Sequence, residues 1–378
     1  MEDDLRWPMN DVSLQVGENI YRGWTSVHIK RSLFCASGSF DLTLSDQTNS
    51  KDNSLKIKAG DACSVSINLS GHLSGEISGR HQPVITGYID QVSRSFDGSS
   101  RVTTIAGRDK MMDVIDSSAM LKQKSWKNTN LLGLVSDLLS PFDIEPILEV
   151  SGHPTLPYHV LHEGSESAWE FIERAARLCS LICHSDGLGN LIITTPFKNQ
   201  SKPRFKLVQG QNILSAHAQS DWSTRFSQYY VESTPYHPDD SESDASDVLP
   251  LRVHILDPEI KRHRPLMIVA EALGTPTLLK KRAQWEKAVR RGRSEKVTVE
   301  LSGWRRLNEL WNINEWVSLK SDWLGINKDY LITEVAFEMG VMNAQRTLLE
   351  LQPANAFLAD ETLRFQQLAK VHEEETHD

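Results

Sequence analysis

Two distant stretches of the chain share one pattern of hydrophobic and polar positions. The first alternates at Phe40, Leu42 and Leu44, turns at Gly60-Asp61, and alternates again through Cys63 and Val65. It continues through Ile89-Asp90-Gln91-Val92 to Arg101-Val102-Thr103. The second alternates at Val297, Val299 and Leu301, turns at Asn314-Glu315, and runs on through Trp316-Val317-Ser318-Leu319. It continues through Ile332-Thr333-Glu334-Val335 to Arg346-Thr347-Leu348. A period of two is what a half-buried strand requires, because successive side chains point to opposite faces. Each stretch therefore predicts strand, turn, strand and a long hairpin. Val65 to Ile89 spans 24 residues and Leu319 to Ile332 spans 13, and the excess of 11 equals the stretch Ser70 to Arg80. Segments that match in pattern and keep their order predict a fold used twice in one chain.

The rest of the pattern fills in around this repeat. Val27-His28-Ile29 alternates ahead of Phe40, and Asp97-Gly98 marks a hairpin tip between Val84–Ser95 and Val102–Ala106. Ser-Gly pairs at Ser70, Ser74 and Ser78 predict a flexible loop tip. From Gly107 onward the period becomes helical. One helix is expected through Met111, Met112, Val114, Ile115 and Leu121. A second presents Leu131, Leu134, Val135, Leu138 and Leu139 after a cap at Asn128 or Thr129, with Pro141 ending it. A third runs from Ser165 or Ser167 to Cys179, and strands follow at Leu181–His184 and Leu191–Thr195. Strands at Ile213–His217 and Phe226–Val231 open the second repeat. It is then interrupted by the acidic, serine-rich run Asp239–Asp247, expected as a mobile loop, and by a helix over Thr277–Arg293. A short amphipathic helix with Leu358, Leu363, Phe365 and Leu368 precedes a charged tail.

The fold class expected is α+β and mainly β: two similar small antiparallel β-barrel domains, a small α+β domain between them, and a helical insertion in the second barrel. The boundaries are 1–109 for the first barrel, 110–200 for the α+β domain, and 201–234 with 295–357 for the second barrel. The insertion is 235–294 and the C-terminal helix and tail are 358–378.

Composition narrows the function classes. A length of 378 residues suits two or three domains, and no apolar run approaches the roughly 20 residues of a membrane span. The acidic start Met1-Glu2-Asp3-Asp4 lacks a signal-peptide pattern, so a soluble chain is expected. Four cysteines (Cys35, Cys63, Cys179, Cys183) without framework spacing predict free, largely buried thiols from a reducing cytoplasm. A net charge of −9 argues against a dedicated nucleic-acid binder, which must neutralise phosphates. Two features point instead to protein partners. Trp304, Trp311, Trp316 and Trp323 crowd into 20 residues, and tryptophan is enriched in interface cores. Lys280, Lys281, Arg282, Lys287, Arg290, Arg291, Arg293 and Lys296 form a basic stretch, either a solvated helix face or a docking surface for an acidic partner.

Enzyme signatures are absent or degraded. There is no Gly-Lys-Ser/Thr, no Gly-x-Ser-x-Gly elbow, and no second histidine to make a zincin helix of His162-Glu163. Gly187-Leu188-Gly189 lacks the third glycine and the following helix of a dinucleotide site. Cys179, Cys183 and His184 read as buried residues rather than metal ligands, and 239–247 lacks the turn glycine of a calcium loop. No catalytic, cofactor or metal residue is assigned.

Several of these stretches resemble one family. Tyr21-Arg22-Gly23-Trp24-Thr25-Ser26-Val27-His28-Ile29-Lys30-Arg31-Ser32-Leu33 is similar to the opening strand of the baseplate hub proteins of contractile-tailed phages, those of Mu-type phages above all. Gly60-Asp61, Gly87-Tyr88-Ile89-Asp90, Gly107-Arg108-Asp109 and Asp113-Val114-Ile115-Asp116-Ser117-Ser118 continue the likeness. So do Gly164-Ser165-Glu166-Ser167, Glu173-Arg174-Ala175-Ala176-Arg177, Ser302-Gly303-Trp304-Arg305 and Leu310-Trp311-Asn312, so that it covers about residues 12–357. The wider group includes late-control protein D and VgrG-like proteins. The resemblance implies a virion component: a homotrimer with six similar barrel positions around a ring, assembled in the host cytoplasm. Its partners would be the tail tube, the central spike and the baseplate wedges. A tail-associated cell-wall hydrolase and the hub of a type VI secretion spike are the alternatives. The hub pattern is expected to use up the chain, leaving no lytic or spike domain.

Overall fold

The computed structural model describes residues 12–353 except 47–55, 69–80, 121–124, 128, 151, 153, 157–158, 162–165, 196–202, 234–250, 271–274, 307–308 and 341–343. The Ser-Gly loop, the acidic run and the C-terminal helix therefore lie outside the described residues. Mainly β structure is what the sequence pattern requires, and it is what forms.

The first unit contains β1 (Val12–Val16), β2 (Asn19–Tyr21), β3 (Ser26–Ser32), β4 (Ser39–Asp46), β5 (Ala62–Asn68), β6 (His81–Phe96) and β7 (Arg101–Asp109). Alternation decides which face is buried: Val27 and Ile29, Phe40 and Leu42, and Cys63, Val65 and Ile67 all point inward. At the hairpin tip, the Asp97 carboxylate accepts from the Ser99 and Ser100 amides at 2.8 and 2.7 Å, fixing the turn between β6 and β7. Those bonds hold the Asp97 carboxyl down at about 2.

The middle segment holds α1 (Met111–Asp116), β8 (Ser125–Lys127), α2 (Leu131–Leu139), β9 (Glu145–Leu148), β10 (His159–Leu161), α3 (Ala168–Leu178), β11 (Ile182–Ser185) and β12 (Asn190–Thr194). Helix α1 stops at Asp116, short of Leu121. The α2 cap is Asn130, whose side chain accepts from the Gly133 amide at 2.7 Å. Ser167 and Glu170 form a reciprocal capping box at the start of α3. The apolar faces of both helices meet β11 and β12 in a core of their own, with Phe171 set 5.2 Å from Trp126. Strand β9, which the sequence pattern did not show, adds parallel to β12.

The remainder holds β13 (Phe205–Val208), β14 (Ser215–Ser220), β15 (Gln228–Glu232), β16 (Arg252–Leu256), β17 (Pro265–Val269), α4 (Pro276–Arg293), β18 (Glu295–Ser302), β19 (Arg305–Arg306), β20 (Glu309–Leu310), β21 (Trp316–Ser321), β22 (Ile326–Met339) and β23 (Gln345–Pro353). Two expectations need correction. Phe226–Val231 is not a strand of the second repeat, because β15 pairs with β16 and β17 in a separate three-stranded sheet. The insertion is accordingly not helical alone: α4 packs on that sheet through Leu279 and Ala283 against Val231 and Ala270. Strands β16 and β17 alternate between exposed and partly buried positions.

The repeat itself is real at the level of hydrogen bonding. In the first unit the strand order is β3-β4-β7-β6-β5-β1, and in the second it is β14-β18-β23-β22-β21-β13. Phe40 stands opposite Gly107, and Val297 opposite Leu351. Ile89 and Ile332 precede a bulge in each unit, at Asp90 and Thr333. The turns match too. Ile89 bonds the backbone of Gly60 and Asp61, as Ile332 bonds that of Asn314 and Glu315. Gly60 and Asn314 both sit at positive φ (89° and 62°), which explains why these two residue types begin the turn. The register of the last strand is one residue off the sequence alignment, since Arg101 corresponds to Gln345 rather than Arg346. Strand β1 pairs antiparallel with β5 whereas β13 pairs parallel with β21. Among the described strands neither unit closes into a hydrogen-bonded barrel. Instead β22 pairs with β3, so both units lie in one 13-stranded sheet with a shared core.

Candidate assembly interface

The basic stretch becomes helix α4, whose Thr275 cap accepts from the Leu278 amide at 3.3 Å and whose first residue is Pro276. Its last turn carries Arg290, Arg291 and Arg293, where cations complement the negative end of the helix dipole. These three arginines do not form an open cationic patch. Arg290 meets Glu286 at 2.5 Å, donates to the Thr224 carbonyl at 3.1 Å, and lies 5.2 Å over Phe226. Arg291 meets Glu259 at 2.5 Å, and Arg293 stands 5.3 Å over Phe34. Burial pushes the Glu286 carboxyl up, but the bonds and charges of Arg282 and Arg290 hold it below the usual range. Deeper in, Arg225 is fully buried against Asp257 at 2.8 Å and Glu259 at 2.8 Å. No local pattern signals this network, since its members are scattered from 225 to 291 and meet only through the fold.

The tryptophan cluster divides. Trp304 is buried, donates its indole N–H to the Glu338 carbonyl at 2.9 Å, and packs edge-on to Phe337. Trp311 is buried 5.6 Å from Phe205 and shares Arg306 with it. Trp316 is half-buried against the same core. Trp323 is 87% exposed. Aromatic crowding at 304–316 thus serves the core of this chain, and of the four only Trp323 is exposed. Phe96, at the tip of the β6–β7 hairpin, is 86% exposed and was not singled out by the sequence pattern. Its signal was positional: a large apolar residue adjoining the Asp97-Gly98 turn.

The cysteine region carries no built chemistry. Burial pushes the Cys179 thiol up to about 11 and the Cys183 thiol higher still, so neither supplies a thiolate at neutral pH. Cys63 and Cys183 are buried, Cys179 is intermediate, and Cys35 is exposed, against the expectation of largely buried thiols for that one residue. The cleft between α3 and α4 is lined by Leu33, Trp169, Trp285 and Val289 together with the charged side chains of Glu173, Arg177 and Arg293. Among the described residues no cluster of three or more His, Cys, Asp or Glu is arranged to hold a metal ion, and no helix is long and apolar enough to cross a membrane.

Comparison with known proteins adds to this geometry. Family models match residues 11–109 (Mu phage baseplate assembly protein GpP-like, N-terminal), 111–195 (baseplate hub protein gp44-like, second domain) and 275–360 (Mu phage baseplate assembly protein GpP, fourth domain). The 43 kDa tail protein of prophage MuSo2 from Shewanella oneidensis is 30% identical. The match covers 92% of this chain and 99% of that one, with a TM-score of 0.77. The chain belongs to the Mu-type baseplate hub family. The baseplate hub protein gp44 of Escherichia phage Mu is 28% identical over 361 residues, covering 92% of this chain and 89% of gp44. The tail protein of Neisseria meningitidis MC58, at 22% identity, shares the fold with a TM-score of 0.77 over 93% of this chain and 98% of that one. Membership of the hub family carries its role: a structural hub of the phage tail baseplate. The resemblance read from Tyr21–Leu33 and the later motifs is thereby established. Relatives of this kind are components of the phage virion tail.

Proposed function

We propose that three copies of the chain form a ring of six related, barrel-like units that joins the tail tube to the central spike, with baseplate wedges around its outside. The observation that carries this reading is the repeat of one six-strand order within the chain, with the units already joined through β22 and β3. Two linked copies of one unit give a rotation that three chains can complete, and cyclic closure satisfies every head-to-tail contact. The hub is assembled in the host cytoplasm and resides in the virion baseplate. Its domains are the two units, the α+β segment between them, and the insertion carrying α4, with the C-terminal segment beyond.

The role is mechanical, without catalysis or cofactor. Trp323 and the outer cations Lys280, Lys281 and Lys287 remain the residues proposed to meet tail partners. Arg290, Arg291 and Arg293 act on that surface by holding α4 in place. Sedimentation equilibrium across concentration and salt tests the ring. The expected mass is three times the 42.7 kDa of one chain. Salt favours assembly by screening the net charge of −9. A constant mass of one chain at every concentration refutes self-assembly. Clearing of a peptidoglycan suspension by the purified protein would favour a hydrolase instead.

A further inference from the structure

The cleft between α3 and α4 has a regular wall. Trp285, Val289 and Arg293 are spaced by four, so they stand one above another on a single face of α4. Trp169 and Arg177 of α3 line the cleft from the other side, with Ala176, Leu181 and Cys183 buried beneath. Trp169 and Trp285 are only half-buried. Two cations here lack a counter-charge. Among the described residues neither Arg177 nor Arg293 makes a salt bridge, and the Arg177 Nε is buried without a hydrogen-bond partner. Glu173 lines the cleft as well but pairs with neither. A buried, unpaired donor of a charged group is costly, so the cleft suits an occupant that is apolar and also brings a carboxylate.

The described chain ends beside this cleft. Antiparallel pairing of β18 with β23 puts Leu351 opposite Val297, and two more residues in that register bring Pro353 beside Glu295. Glu295 follows Arg293 by two residues. Pro353 also stands opposite Tyr330, and Glu295 meets Lys328 of that same strand at 2.6 Å. The cleft runs away from this point along α4. Arg293 lies over Phe34 at the near end. Lys281 lies at the far end, where it acts on the Cys179 thiol against the rise that burial causes.

We propose that residues 354–361 of the same chain occupy this cleft, with Phe357 and Leu358 set between Trp169 and Trp285 and with Asp360 and Glu361 meeting Arg177. The contact lies within one chain and is independent of the ring.

Three observations support it. The first is reach: Ala354-Asn355-Ala356 spans up to about 10 Å when extended, enough to pass from Pro353 to the near end at Arg293. The second is order. After this connector come the apolar pair Phe357-Leu358 and then the carboxylates Asp360 and Glu361. The cleft presents the matching succession, apolar walls first and then Arg177, two residues before the Cys179 that marks its far end. The third is charge. Residues 354–378 hold six carboxylates and two Lys or Arg, whereas α4 holds seven Lys or Arg and one carboxylate. Opposite charge draws the segment to this helix. Docked there, it straps the insertion to the α+β segment, because α4 belongs to one and α3 to the other.

Disulfide trapping tests this in the full chain, with Cys35→Ser and Cys179→Ser removing the accessible thiols. Glu173→Cys/Ala359→Cys should close a disulfide within one chain. It should do so about tenfold or more faster than Lys287→Cys/Ala359→Cys, because Lys287 lies on the face of α4 opposite Trp285. Adding Arg177→Glu should slow the first reaction at low salt, by a factor that shrinks as salt rises, and Asp360→Lys/Glu361→Lys should restore the rate. A second readout needs no cysteine. Phe357→Ser/Leu358→Ser should raise hydrogen exchange over 169–183 and 281–293 about tenfold or more, with self-association unchanged. Equal trapping at Glu173→Cys and Lys287→Cys overturns the proposal, since the segment then visits both faces alike. A disulfide that forms only between separate chains, in a mixture of the single variants, gives the cleft to a second copy and overturns the intrachain contact. Unchanged exchange in Phe357→Ser/Leu358→Ser overturns the apolar anchor. Monomer and trimer predict the same intrachain disulfide, so failure of the ring and failure of the strap are told apart.

Discussion

Replacing Asp257 by alanine would loosen the insertion that carries α4. Arg225 is fully buried and Asp257 is 2% exposed. Both Nε and Nη2 of Arg225 donate to Asp257 Oδ2, at 3.3 and 2.8 Å, and the guanidinium lies 4.8 Å over Trp222. Removing one member of such a pair strands the other charge away from water, at a cost of about 3–5 kcal/mol. Glu259 partly compensates. It is 38% exposed and stays 2.8 Å from Arg225, so the lower end, about 3 kcal/mol, is the appropriate figure. The insertion has little else to resist this, since its own buried apolar cluster is Val231, Ala270, Leu279 and Ala283. At 1.4 kcal/mol per factor of ten, local opening should become about 150-fold more frequent. Hydrogen–deuterium exchange resolved by peptide would show it as lost protection over 225–233 and 252–293, with 12–109 little changed. The double variant Arg225→Met/Asp257→Leu should recover most of the protection, because a packed apolar pair is often as stable as a buried ion pair. An increase in opening of less than about fivefold in Asp257→Ala would refute the argument that this pair holds the insertion on the sheet.

Three further outcomes are expected. In the native protein Cys35 should react first with a thiol reagent, while Cys63, whose thiol burial pushes up to about 12, and Cys183 should react only on unfolding. Burial lowers the pKa of His184 from 6.5, so below pH 6.5 the unfolded chain takes up a proton before the folded one. Its contribution is present above 6.5 and is lost as pH falls through the lowered value. Urea midpoints between pH 7 and 5 should therefore fall less for His184→Gln than for the parent. Gly107→Ala places a Cβ 2.3 Å from the Tyr88 carbonyl oxygen and 2.6 Å from Phe40, and should cost about 1–3 kcal/mol or more in a urea melt. Gly98→Ala, with nothing within 4 Å, should be close to neutral.

The repeat, the three capped helices and the family were legible in the sequence because each is written in local terms. Alternation sets a strand's buried face, and Gly60 and Asn314 announce turns that need positive φ. Ser167 with Glu170 announces a helix start. Which strands pair across long separations is not a local property. Nothing in Phe226–Val231 distinguishes a strand of the repeat from one in the insertion's own sheet, because both need the same alternation. Parallel additions such as β9 on β12 and β13 on β21 depend on where an edge lies open, not on their own short sequences. The tryptophans illustrate the same limit. Trp304 and Trp323 look alike as residues, and only the packing of the first beneath β22 and the projection of the second at a turn separate core from surface. Likewise the basic run reads as free charge until the fold brings Glu259 and Glu286 against Arg290 and Arg291. Sequence therefore determined which faces are apolar and where the chain turns. The tertiary structure decided which faces and charges meet, because that depends on contacts between residues as far apart as Val27 and Met339.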